Sequence, residues 1–239
     1  MRHRFWELDF LRGIAIILMI LFHSVFDLNQ FFGFEDLAYD HGFWFYEGRF
    51  TAVLFILFVG VISGIIAQQC DLKERFKKTL FRSGRLAAFA FLITAATWFF
   101  DPSNTIWFGM LHFLTIAILF SFFFVRFRWL NLVFAGIVFW IGEWLKFQSF
   151  GFAIGLPLGL RPVHLQTFDY YPIFPWFTAI LIGIFVGQWY YRNRPILFQK
   201  KAPGRIARWI GFLGRHSLAI YLIHQPILLA LLFLFFKSR

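Results

Sequence analysis

Cysteine is nearly absent: Cys70 is the only one in 239 residues. A single thiol builds neither a disulfide framework nor a cysteine-based metal site. Charge is scarce too. Asp, Glu, Lys and Arg make up 15% of the chain, where soluble domains carry about a quarter. Acidic residues are the scarcer sign, 12 against 23 Lys and Arg, which leaves a formal net charge of +11. No lysine lies inside a long apolar run, so a retinal-type Schiff base has no anchor. The seven histidines are scattered without tight ligand spacing, and no metal is expected.

What is abundant is apolar surface. The chain is 60% hydrophobic and 23% aromatic, with a mean hydropathy of +0.69. The 39 Phe and 10 Trp suit lipid-facing surfaces and interfacial belts. The expected class is an all-α, polytopic membrane bundle in a cell membrane, one domain over 1–239. Seven apolar runs read as spans: 10–30, 50–69, 84–100, 107–125, 129–147, 172–191 and 217–236. Arg2 and Arg4 precede the first run as in a secretory signal, but no small-residue cleavage site follows, so an uncleaved first helix is expected. Pro102 and Asn104 mark a tight turn. Residues 148–171, apolar and bearing Gly and Pro, read as a re-entrant or lid-like loop.

The basic excess has a topological meaning. Segments 2–12, 73–85, 126–128 and 192–215 hold 18 of the 23 Lys and Arg, and all fall on one side of the bilayer. The first loop on the other side carries Glu35, Asp36, Asp40 and Glu47. The positive-inside rule then predicts an N-in, C-out chain whose partner is the lipid bilayer rather than nucleic acid. Gly60 with Gly64, and Gly183 with Gly187, are spaced for close helix packing. Association with further copies of the chain stays open.

Ionisable groups inside spans are costly and mark function by default. The first span carries Arg12, His23 and Asp27. Eleven residues are close to three helical turns, so Arg12 and His23 share a face roughly 16 Å apart, and Asp27 follows one turn later. A carboxylate beside an imidazole is expected to hold its tautomer and to stabilise its protonated form. That suits a general base acting on a hydroxyl or amine. Arg82 and Arg85 form a pair of guanidinium forks fit for phosphate, or for ordinary lipid flanking. His112 sits in the outer half of the fourth run. Asp169, which opens Asp169-Tyr170-Tyr171-Pro172-Ile173-Phe174-Pro175-Trp176, can bind acceptor hydroxyls or pair with His112. Trp176 and its neighbours suit either an interface belt or a sugar-stacking platform. The last run opens with His216, Ser217 and Tyr221 near the basic side, with His224 and Gln225 deeper, and Pro226 is expected to kink it.

These segments resemble the membrane acetyltransferase family of heparan-α-glucosaminide N-acetyltransferase, above all its short prokaryotic members. The resemblance is carried by Glu7-Leu8-Asp9-Phe10-Leu11-Arg12-Gly13-Ile14-Ala15 with His23, by Phe108-Gly109-Met110-Leu111-His112, by 169–176, and by Gly214-Arg215-His216-Ser217-Leu218-Ala219-Ile220-Tyr221-Leu222-Ile223-His224-Gln225-Pro226. Arg12-Gly13 with His23, and Arg82-Ser83-Gly84-Arg85, also resemble the integral-membrane acyltransferases of bacterial surface polysaccharides.

The resemblance implies an acyltransferase that moves an acetyl group from cytosolic acetyl-CoA to a hydroxyl or amine of an extracytoplasmic glycan or small molecule. His23 and Asp27 would act in catalysis, as would His41, followed by Trp44, which matches a family histidine beyond the first span. Arg12, Arg82, Arg85, His216, Ser217, Tyr221 and His224 would line the donor site. His112, Asp169 and Trp176 would meet the acceptor. The competing class is a proton-coupled transporter or flippase using the same His and Asp groups as a relay. No internal repeat of the kind many secondary transporters carry is visible.

Overall fold

The computed structural model describes residues 5–34, 36–148, 154–193 and 204–236. Arg2, Arg4, Glu35, Arg194, Lys200, Lys201, Lys237 and Arg239 lie outside the described residues, as do 149–153 of the expected re-entrant loop. Eight α-helices follow in chain order, and no strand occurs among the described residues: α1 (Trp6–Phe32), α2 (Gly42–Gln69), α3 (Leu72–Phe100), α4 (Met110–Phe124), α5 (Leu130–Leu145), α6 (Ile173–Asn193), α7 (Arg205–Arg215) and α8 (Ser217–Phe236).

Every expected apolar run contains a helix. Five of them, α1, α2, α3, α6 and α8, are long and apolar enough to cross a membrane. Helices α4 and α5 have 15 and 16 residues. At 1.5 Å per residue they reach roughly 22–24 Å, short of a ~30 Å hydrocarbon core. Helix α3 starts about three turns earlier than the expected span, because Asp71 caps it by accepting from the Glu74 amide at 2.7 Å. The tight turn at Pro102–Asn104 is a single 3₁₀ turn. Hydrogen bonds from Ser103 and Asn104 hold the Asp101 carboxyl there below its ordinary range.

The chain packs as two compact units, one of 1–55 with 196–239 and one of 56–195; α2 begins in the first and continues into the second.

In the first unit α1 packs against α7 and α8. The approach of α1 to α7 is backbone to backbone. A Cβ on Gly13 would overlap the Ile210 carbonyl, and one on Gly214 would overlap that of Asp9. Helix α7 was not anticipated from apolar runs, because it is amphipathic. Gly211 and Gly214 are buried, Ile206 and Trp209 face outward, and Arg205, Arg208 and Arg215 occupy the remaining exposed side. Helix α1 ends at Gly33, whose left-handed φ of 73° lets its amide bond the Leu28 carbonyl.

In the second unit α3 pairs with α4 and α5 with α6, while α4 also packs on α6. The expected glycine pairs meet each other. Gly60 and Gly64 of α2 lie against α6 where Gly183 and Gly187 leave room, and the Gln68 amide donates to the Gly187 carbonyl at 2.9 Å. Ile56, Val61, Phe113, Ile118, Ile180, Leu181 and Ile184 fill the core. Helix α6 is interrupted at Phe174, whose backbone is extended.

Candidate active site

The first unit gathers the polar groups of α1 and α8 into one seam. Arg12, His23 and Asp27 each face a residue of α8. The Arg12 guanidinium donates to the hydroxyl of Ser217, a buried residue at the start of α8. The His23 and His224 rings meet edge to face, centroids 4.7 Å apart. The Gln225 amide donates to Asp27 Oδ1 at 2.5 Å. Helices α1 and α8 therefore run parallel, and the helical face expected for α1 is the one that α8 covers.

The two imidazoles share one hydrogen-bond pattern. His23 Nδ1 lies 2.8 Å from the Met19 carbonyl, and His224 Nδ1 lies 2.7 Å from the Tyr221 carbonyl. A carbonyl only accepts, so each Nδ1 carries the proton and each neutral ring presents Nε2 as a lone pair. His224 Nε2 is buried with no partner among the described residues. The Met19 carbonyl, not Asp27, thus holds the His23 tautomer, which differs from the expectation. Asp27 is instead oriented by Gln225. Its carboxylate is fully buried, and Oδ2 has no partner among the described residues. Gln225 is the contact that spacing alone did not pair with Asp27, although its place beside His224 in a dense polar run pointed to the region.

The remaining expected residues of this unit fall differently. Tyr221 lies one turn from His224, ring centroids 5.7 Å apart. His216 is exposed at the end of α7, bonded to the Phe212 carbonyl at 2.9 Å. His41 is exposed on the turn before α2, paired with Asp40 at 2.7 Å.

In the second unit His112 and Asp169 both serve the first turn of α4. Asp169 Oδ2 accepts from the Met110 amide at 2.8 Å. His112 Nδ1 accepts from the Gly109 amide at 3.3 Å, while its Nε2 meets Thr94 Oγ1 at 3.1 Å. They cap one helix end side by side and do not bond to each other. Burial pushes the Asp169 carboxyl up to about 6, against the opposing pull of the Met110 and Tyr170 amides. Burial likewise pushes the Tyr170 phenol up to about 12; it donates to the Leu156 carbonyl at 2.9 Å and ties down the loop that precedes α6. The Trp176 and Tyr171 rings lie tilted against each other, centroids 4.6 Å apart. Arg82 is half-buried and Arg85 exposed, both on α3. Among the described residues no three His, Cys, Asp or Glu side chains gather as a metal site would need.

Apolar helices long enough to cross a bilayer, with ionisable groups turned into a seam between two of them, define a multi-pass membrane protein with an interior polar site. The family model described as heparan-alpha-glucosaminide N-acetyltransferase, catalytic, matches residues 4–226, and the chain belongs to that family. Membership makes it a membrane transferase. No curated protein matches the chain, and no solved structure does.

Proposed function

We propose that the protein transfers an acetyl group from acetyl-CoA to a hydroxyl or amine, with the seam of α1 and α8 as its catalytic centre. The observation that carries this reading is the pair of Nδ1-protonated imidazoles, His23 and His224, whose rings meet edge to face with centroids 4.7 Å apart. A base of this kind is what an acceptor hydroxyl or amine needs. His23 Nε2 takes the acceptor's proton as the new C–O or C–N bond forms. The thioester C–S bond breaks, and the same proton passes to the departing thiolate. Asp27, fully buried one turn away, stabilises the imidazolium while Gln225 keeps its carboxylate in place. Within the first unit Arg12, held by Ser217, is the proposed contact for a phosphate of the donor. In this reading the N-terminus and the basic segments lie on the cytosolic side and seven segments cross a cell membrane.

The test is acetyl-CoA turnover by purified protein against a panel of glycans and amines. Wild type is compared with His23→Ala, His224→Ala and His41→Ala. Loss in His23→Ala with folding retained supports the assignment; full turnover in that variant overturns it. Proton-coupled uptake into liposomes without any CoA binding would favour a transporter instead, with Asp27 as its relay carboxylate.

A further inference from the structure

Helix α7 sits where two membrane spans begin. Gly211 and Gly214 seat it on the first turns of α1, against Asp9 and Gly13, and only His216 separates its last residue from α8. Both α1 and α8 are long and apolar enough to cross a bilayer. Helix α7 has 11 residues. At 1.5 Å each that is roughly 16 Å, too short to cross.

At about 3.6 residues per turn its side chains sort onto three strips. Ile210, Gly211 and Gly214 form the strip that packs on α1. Ile206 and Trp209 form an apolar strip, 77% and 66% exposed. Arg205, Arg208 and Arg215 form a basic strip, also exposed. Phe212 falls within the basic strip, where the His216 ring lies 4.3 Å away between centroids and the Arg215 guanidinium sits 5.8 Å from its ring centre. The apolar and basic strips adjoin, with Arg205 and Trp209 one turn apart along their shared edge. No Asp or Glu occurs in 204–216, so the helix itself carries nothing to neutralise its arginines.

Water alone would leave the Ile206–Trp209 strip exposed, and hydrocarbon alone would leave the arginines without partners. The headgroup boundary satisfies both strips at once. The apolar side chains reach the acyl region while the guanidinium forks reach phosphate. Chain connectivity puts α7 at that boundary, because α8 enters the bilayer from its end. We infer that α7 is an interfacial helix that docks on an anionic phospholipid leaflet, with Ile206 and Trp209 entering the acyl boundary and Arg205 and Arg208 holding lipid phosphates. A basic strip without an acid selects an anionic leaflet over a zwitterionic one. The inference stands without the proposed acyl transfer.

The experiment places the full chain in nanodiscs of phosphatidylcholine alone, or of phosphatidylcholine and phosphatidylglycerol in equal parts. Amide hydrogen exchange is followed over 205–215. The expected result is exchange at least about tenfold slower with phosphatidylglycerol, since each basic residue near an anionic surface contributes about fivefold. Arg205→Gln with Arg208→Gln loses most of that difference, and Arg205→Lys with Arg208→Lys keeps most of it. Lys73→Gln with Lys77→Gln, which removes the same charge from exposed positions on α3, changes it little. Exchange in phosphatidylcholine alone shows whether each variant retains the helix. Should the glutamine pair not fold, raised salt on wild type reads the same contact, because screening the lipid charge should shrink the difference. Equal exchange of wild type in the two lipids overturns the inference. So does a difference that persists in the glutamine pair or at high salt, or an equal loss in the α3 pair.

Discussion

In the first unit Asp27 and His224 keep polar atoms that no described residue meets. In the second, Asp169 and His112 spend theirs on the amides that open α4. Both places bring histidine and aspartate into a largely apolar bundle, and by residue type they look alike. The difference lies in what remains after packing. A helix start leaves amides without intrahelical partners, so a carboxylate and an imidazole beside them are consumed by architecture. The middle of a helix offers no such amides. A polar group there keeps unmet capacity, and burying it that way is costly unless a reaction or ligand uses it.

Four measurements can break or sharpen this contrast. The largest effect is expected from His23→Ala, which should lower acetyl transfer by about 10²–10⁴-fold, the usual contribution of a general base, without loss of helix content. Asp27→Asn comes next. Charges one helical turn apart, ~6 Å, at an effective dielectric near 20 interact by about 2–3 kcal/mol, or roughly a hundredfold in rate. A rate measured at saturating donor checks it, and an unchanged rate would remove the carboxylate from the chemistry. Asp169→Ala should behave differently. It should cost about 1 kcal/mol of stability, as other lost helix caps do, read as a lower melting temperature in detergent, with transfer by the folded fraction little changed. A large loss of transfer with the melting temperature intact would erase the contrast.

The smallest effect is in pH. The Asp169 carboxyl rises from its ordinary 3.8 to about 6 in the fold, so the folded chain binds this proton more tightly than the unfolded one. Its contribution to stability is therefore present below about 3.8 and is lost as pH climbs to about 6. Asp169→Asn should flatten that segment of the melting-temperature profile. A profile with the same slope in wild type and Asp169→Asn would mean that another group titrates there.

Much of the scaffold was legible because membrane helices announce themselves by long apolar runs, and Gly60, Gly64, Gly183 and Gly187 by their spacing. Helix α7 was not, because its pattern of arginine, glycine and scattered large apolar residues has a low mean hydropathy and only a strong periodicity. The early start of α3 was hidden for a related reason: Lys73, Arg75, Lys77 and Lys78 make its first turns look like a loop flank, yet Asp71 caps them. At the site, the shared face of Arg12, His23 and Asp27 followed from 3.6-residue periodicity. The pairing of Asp169 with Met110, 59 residues apart in the chain, followed from nothing local.

The sequence alone determined that this is a helical membrane protein and that one face of its first helix carries a cation, a base and a carboxylate in line. Helical periodicity and hydropathy are local properties, and they suffice for that. Only the tertiary structure decided that Ser217, His224 and Gln225 face those three groups, that Met19 rather than Asp27 holds the His23 tautomer, and that Asp169 is a helix cap. Those outcomes depend on which distant backbone groups arrive beside a side chain, and that is a matter of packing, not of spacing.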